Sequence, residues 1–474
     1  MTEGGSVTMI VRAAAIDELR RQIRGEIIRP ADAGYHEARS VYNTIHNRWP
    51  ALVLRAADEN DVVTGVQFAR SHGLIIAVRG GNHSMPGFGS CDDGLVLDLG
   101  GIRRVDVDPH RRIVSVAGGC TWADVNDATH RHGLATTGGL ISTTGVGGLT
   151  LGGGIGYLAR LHGLACDNLI AADVVTADGD RLRATTEEHA DLLWALRGGG
   201  GNFGVVTSFE FRLHDVGEVI AGPIVFPLSA DVVRAWGELV RRAPTQLGTI
   251  LGLTLAPTAP FVPDAWHGKP AVVVIVCWTG PRDQADTVLR EFDDLGPAIG
   301  QSVGPMPYPV VNTLFDSLLP RGMRHYWRSH IVPEMPGDAL EALVSECQAV
   351  PSAASGVFFY PIDGACHHVS VHDSAFPHRE ARFAIGVHGD WWSRDDDTRG
   401  MDWVRACDAA LHSRHSSGSR YVNFASDDGR SIVESAYGPN HERLAAVKRR
   451  YDPHNVFCLN HNIDPDASVG GEDR

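Results

Sequence analysis

Three glycine-dense stretches carry the residues most able to do chemistry. The first, R-G-G-N-H-S-M-P-G-F-G at 79–89, directly follows an apolar run. Glycines there admit positive φ and let the backbone approach a bulky ligand, and successive free N–H groups bind phosphate. The same loop could instead be a tight structural turn. The second, I-S-T-T-G-V-G-G-L-T-L-G-G-G-I-G at 141–156, sets small hydroxyl residues beside glycines, and the third, G-G-G-G-N-F-G, occupies 198–204. A Rossmann site for a nicotinamide dinucleotide puts its motif in one βα turn, with an acidic residue about twenty positions on. Here the pattern is spread over two separate loops, which implies an extended cofactor.

Polar side chains that could act on a substrate cluster later. F-F-Y-P-I-D-G-A-C-H-H-V-S-V brings Tyr360, Asp363, His367 and His368 together on what reads as one strand with a turn, and A-R-F-A-I-G-V-H-G-D-W-W adds His388, Asp390 and Trp391. Alternation sends neighbours on a strand to opposite faces, so only some of these can share a site. Adjacent His367 and His368 chelate poorly for that reason, and no metal is expected. Eight cysteines without a C-x-x-C pair read as reduced, mostly buried thiols.

The elements that must position these groups alternate in the first third of the chain. A strand at 51–56, a helix at 59–72 stopped by Gly73 and a strand at 74–78 lead into Gly80 and Gly81. A strand at 95–99 and a hairpin at 104–118 around Asp108-Pro109-His110 follow. Thr121 and Asp124 form a capping pair for a short helix ending near Gly133, and 205–211 reads as a strand. From about His214 the apolar runs lengthen, as in P-A-V-V-V-I-V-C-W. The expected organisation is a cofactor domain at 1–213 with its core at about 46–213, a second domain at 214–417, and a segment at 418–474 returning to the first. The last eight residues are expected to be disordered.

The 474 residues, 43% apolar and 21% charged, fit a soluble globular chain. No window is apolar enough to span a bilayer and the N-terminus has no signal-like core, so a cytoplasmic location is expected. A formal charge of −15 argues against nucleic acid or anionic membrane as partner.

Four ordered stretches resemble the vanillyl-alcohol oxidase superfamily, and its berberine-bridge-enzyme-like branch in particular. They are V-R-G-G-N-H-S-M-P-G-F-G-S-C-D-D-G-L-V-L-D-L, S-T-T-G-V-G-G-L-T-L-G-G-G-I-G-Y-L-A-R-L-H-G-L-A-C-D-N-L, L-L-W-A-L-R-G-G-G-G-N-F-G-V-V-T-S-F-E-F-R-L, and a tail running from Y-V-N-F to N-H-N-I. The resemblance implies an α+β chain: a PCMH-type FAD-binding fold plus a substrate domain whose antiparallel sheet is covered by helices. It implies FAD bound by Arg79, Gly80, Gly81, Asn82, His83, Ser84 and Gly87 of the first stretch. From the second it implies Ser142, Thr143, Thr144, Gly147, Gly148, Gly152 and Gly153, and further on Gly204, Val206, Asn460 and Asn462. His83 matches the family histidine that bonds the flavin 8α carbon. Ile141 stands where many members carry a second, cysteinyl link, so a single covalent bond is expected. Thr144 falls where a small residue accompanies reaction with oxygen.

The family's bases are tyrosines or acids, and Tyr421 matches one commonly catalytic tyrosine, with Tyr360 and His388 as further candidates. Phe424 replaces a tyrosine found in some members, and Ile385 a glutamate found in several plant members, which blocks simple transfer of their mechanism. The expected activity is removal of a hydride from an alcohol or amine carbon of a small molecule (a secondary metabolite, sugar or aromatic alcohol), with oxygen reduced to hydrogen peroxide by a monomer or homodimer. A dehydrogenase with another acceptor, an oxidative cyclase and a non-catalytic flavin carrier are the alternatives.

Overall fold

The computed structural model describes residues 11–412, 418–426 and 430–466. Its first sheet orders the strands Glu26–Ile28, Leu52–Arg55, Leu95–Asp98 and Ile76–Arg79, the last three mutually parallel. Parallel strands need a crossover, and helix Glu59–Ser71 supplies the one between Leu52–Arg55 and Ile76–Arg79, which flank Leu95–Asp98. Asp58 caps its first turn by accepting from the Asp61 amide. Val62, Val66 and Ala69 bury one stripe of the helix in the core beneath the sheet.

The second sheet is wholly antiparallel, ordered Val105–Asp108, Ile113–Ala117, Val205–Arg212, Leu169–Val175 and Arg181–Ala184. Thr121 and Asp124 form a capping box that starts helix Trp122–His130. The glycine-rich 141–156 stretch yields a short helix, Val146–Leu151, and a loop in which Gly153 and Gly154 both have positive φ.

The third sheet has eight strands, and the run from Glu218–Pro227 through Pro270–Trp278, Leu247–Leu255, Gly356–Pro361 and Phe383–Trp391 to Arg324–Val332 is antiparallel throughout. Helices Ala230–Arg242, Leu340–Glu346 and Asp397–Leu411 cover one face, where Trp236, Leu251, Phe359 and Val387 are buried. The opposite face, bearing Ile250, Ile275 and Tyr360, turns toward the glycine loops. The chain then leaves this sheet: Tyr437, Leu444 and Tyr451 of helices Arg430–Tyr437 and His441–Tyr451 pack into the core of the second sheet. Lys448 fixes that return, donating to the Asn202 and Phe457 carbonyls and to Asp452 at 2.6 Å, all buried.

One expectation is corrected. The strand carrying Tyr360 ends at Pro361, and Gly364–His368 is a 3-10 turn. Asp363 is drawn into a buried ion pair with Arg160 at 2.6 Å, and Gly364 bends the chain at φ +65°. The expected disorder of the last residues falls on 467–474, outside the described residues. All eight cysteines are free, seven of them buried. No helix among the described residues is long and apolar enough to cross a membrane.

Candidate active site

The first glycine loop is held from below. Arg79, 4% exposed, donates to the carbonyls of Ala38 and Ser40 and pairs with Asp98 at 3.3 Å, so its charge is consumed in fixing the loop. Burial holds its pKa below the usual arginine value. The loop then touches the second one backbone to backbone: a Cβ on Gly81 would lie 2.2 Å from the Gly145 nitrogen, and one on Gly145 would lie 2.3 Å from that of Gly81. Only glycine at both positions lets the loops close side by side. Asn82, at φ +68°, donates to the Ser40 carbonyl and leaves its Oδ1 buried without a partner.

Between these loops and the third sheet lies a cavity of about 770 Å³, within the range of cofactor and ligand sites. Gly80, Gly81, Asn82, His83 and Ser84 line it from one loop, with Arg79 at its base. Thr144, Gly147, Gly148 and Gly152 line it from the next, and Gly204, Val206 and Asn460 close that end. Tyr421, Tyr360 and His388 line the other end.

The remaining predicted contacts stand off this wall. The Ser142 hydroxyl and amide donate to Asp316, at 2.5 and 2.9 Å, tying the second loop to the chain below the third sheet. Thr143 faces the His83 ring. Gly87 turns at φ +71° against His46, and Gly153, at φ +121°, packs between Phe376 and Tyr421. Asn462 is off the wall, with Oδ1 buried and unpartnered. The paired glycine loops and the orphaned oxygen of Asn82 fit an elongated cofactor bearing hydrogen-bond donors and a phosphate bridge.

His83 is half-buried on the cavity wall. Its Nε2 meets Thr143 Oγ1 at 2.9 Å, while Nδ1 is 3.5 Å from Thr144 Oγ1. Burial, aided by Arg321 and His325, pushes its pKa down to about 3. The ring is thus a neutral imidazole with an available lone pair. Tyr42 stacks on it at 3.9 Å and on His325 at 4.8 Å, and Asp390 accepts from both His325 Nδ1, at 2.5 Å, and Trp327 Nε1, at 2.8 Å.

On the next strand His388 stacks on Trp327, with ring centroids 3.9 Å apart. Gly386 leaves the space for it, since a Cβ there would lie 2.3 Å from His388 Nε2. Neither ring nitrogen has a hydrogen-bond partner among the described residues, and burial pushes the pKa down to about 3. Tyr421, 1% exposed, accepts from the Gly154 amide and from Asn423 Nδ2, both at 2.9 Å, which leaves its own proton to donate. Burial raises its pKa above the phenol value against those two hydrogen bonds.

Tyr42, His325 and Trp327 are absent from the sequence-derived set. The period-two run R-H-Y-W-R-S-H at 324–330 was the available signal, since its odd positions share the face of Tyr360 and His388. Asp363 and His367 are directed elsewhere, to Arg160 and to the Ala381 carbonyl. One group among the described residues could hold a cation, His330, Asp408 and His412. Asp408 is already neutralised by Arg328 and Arg420, at 2.8 and 2.6 Å.

A dinucleotide-sized cavity between glycine loops, opening onto one face of an antiparallel sheet, defines a PCMH-type FAD-dependent oxidoreductase. Residues 50–185 match the FAD binding domain family and residues 420–464 the berberine and berberine-like family. The chain is 30% identical over 467 residues to an FAD-linked oxidoreductase of Dictyostelium discoideum, covering 95% of this chain and 97% of the relative. It is 30% identical over 460 residues to (R)-6-hydroxynicotine oxidase of Paenarthrobacter nicotinovorans, covering 94% and 98%. The structure of 6-hydroxy-D-nicotine oxidase from Arthrobacter nicotinovorans superposes with a TM-score of 0.82 at 28% identity, covering 94% of this chain and 98% of that one. Glucooligosaccharide oxidase from Acremonium strictum shares the fold, with a TM-score of 0.85 at 22% identity over 96% of this chain and all of that one. The chain belongs to the berberine-bridge-enzyme-like family of FAD-linked oxidoreductases.

Proposed function

We propose that this enzyme is an oxidase that removes a hydride from an alcohol or amine carbon of a small organic substrate and returns the electrons to oxygen as hydrogen peroxide. When bound, FAD supplies the hydride acceptor. In this reading 1–213 and the returning 418–474 hold the cofactor and 214–417 the substrate, a division supported by the packing of Tyr437, Leu444 and Tyr451 on the second sheet. The glycine loops, Asn82 and Asn460 hold the cofactor, and His83 forms the single covalent link. Ile141, on the cavity wall, carries no sulfur for a second.

Near neutral pH His388 is an unprotonated base without a partner, available to take a proton from the substrate as the carbon loses hydride. Tyr421 keeps its proton and offers it as a hydrogen bond to the substrate oxygen or nitrogen, held in place by Gly154 and Asn423. The observation that carries this reading is the convergence of His83, Tyr421 and His388 on one cavity. Thr144, small and within 3.5 Å of His83, leaves room for oxygen.

The test is stopped-flow kinetics of the wild type and Thr144→Leu. The leucine slows reoxidation of the reduced enzyme by oxygen while anaerobic reduction is unchanged. A wild type that reoxidises slowly in oxygen but rapidly with a quinone dye is a dehydrogenase and refutes the oxidase reading.

A further inference from the structure

The substrate end of the cavity is defined by what its wall lacks. Among the described residues the wall contains no aspartate, glutamate or lysine. Its one permanent cation, Arg79, lies at the cofactor end and is tied to Asp98. Asp390, on the same sheet face as His388, does not reach the wall; its Oδ1 accepts from His325 and Trp327, and its Oδ2 is buried without a partner among the described residues. A substrate ammonium would therefore be desolvated without a counter-charge, which is strongly unfavourable.

The wall's interior polar groups are also few. Thr254 donates to the Ser355 carbonyl, and Asn423 donates to the Leu149 carbonyl and to Tyr421. Thr258 and Ser317 are exposed and belong to the mouth. Tyr360 and His388 remain, 5% and 4% exposed, with ring centroids 6.2 Å apart and no hydrogen-bond partner among the described residues. An oligosaccharide presents many hydroxyls, and each left unpaired in an apolar site costs about 1–3 kcal/mol. With the proton that Tyr421 keeps to donate, three polar groups remain at this end, enough for a ligand with a single hydroxyl.

Aromatic rings frame that pair. Phe424 lies 5.0 Å from Tyr360, 5.1 Å from His388 and 5.9 Å from Trp327, and Phe315 meets Phe358 edge to face at 6.5 Å. Their faces and edges accept a flat ring in offset or T-shaped contact.

Building on the oxidase reading, we infer that the substrate is an uncharged aromatic alcohol, its ring held among Phe315, Phe358 and Phe424 and its hydroxyl received among Tyr360, His388 and the Tyr421 proton.

Purified holoenzyme is titrated anaerobically with naphthylmethanol, cellobiose and benzylamine. Binding is followed by both the visible flavin band and tryptophan emission, so that it is measured apart from turnover. Naphthylmethanol is expected to bind at concentrations at least about tenfold lower than either other probe. Tyr360→Phe is expected to weaken naphthylmethanol binding about tenfold and to leave methylnaphthalene binding unchanged. Equal or tighter binding of cellobiose or benzylamine, or an equal effect of Tyr360→Phe on both naphthyl probes, overturns the inference. Tight naphthylmethanol binding that never bleaches the flavin supports the ligand class and refutes the oxidation reading instead.

Discussion

Replacing His388 with phenylalanine should change how the enzyme responds to acid. In the folded chain the imidazole is buried against Trp327 and its pKa is pushed from 6.5 to about 3. Once unfolded it returns to the ordinary value and takes up a proton below about pH 6.5. The unfolded state then binds more protons than the folded one, so stability falls as pH drops from about 6.5 toward 3. At about pH 5 the unfolded site lies 1.5 units below its pKa and the folded site is still neutral, and each unit is worth about 1.4 kcal/mol. His388 alone thus removes about 2 kcal/mol between about pH 8 and pH 5. His162, His214 and His378, each pushed down to about 4 by burial, act in the same direction. Their contributions are common to wild type and variant, so the difference isolates His388. Urea unfolding at the two pH values measures it, and phenylalanine keeps the stacking on Trp327. The acid-induced loss should be about 2 kcal/mol smaller in His388→Phe, and likewise in His388→Asn. Equal losses in wild type and both variants would show that His388 titrates in the folded enzyme as it does in the unfolded one, and the burial that keeps it unprotonated at about pH 5 would be refuted.

Tyr421→Phe leaves the buried Gly154 amide unpaired, so it should cost about 1–3 kcal/mol by denaturation. It should also lower kcat by about 10²-fold or more at saturating substrate, and an unchanged kcat would remove Tyr421 from the chemistry. Gly81→Ala drives a methyl into the backbone of Gly145, so the loops separate, and flavin content after purification should fall well below that of wild type. Lys448→Met strands the buried Asp452 carboxylate, at a cost of about 3–5 kcal/mol in thermal or chemical unfolding.

The cofactor half of the molecule was legible because its determinants are local. A strand, a capped helix and a glycine turn are written within 51–81, and the Thr121–Asp124 capping box appears in the structure where the spacing put it. The substrate half is set by register across strands far apart in sequence. Trp327 pairs with His388, and Gly356 with His388 from the other side, so the aromatic face is assembled from three segments. Tyr42 comes from a fourth, through a stack that no local pattern announces. The adjacency of His367 and His368 to Tyr360 suggested one strand with a turn; the strand ends at Pro361, Asp363 pairs with the distant Arg160, and His367 and His368 fall in the 3-10 turn beyond it. Ser142 shows the same limit: a hydroxyl beside glycines reads as a cofactor ligand until Asp316, 174 residues away, claims it.

The most direct test of the central claim is acid precipitation of purified wild type and His83→Ala, followed by absorbance of pellet and supernatant. Colour retained in the wild-type pellet and released from the variant is the predicted result, a single bond from His83 to FAD. Flavin freed by acid from the wild type, or retained by the variant, would contradict it.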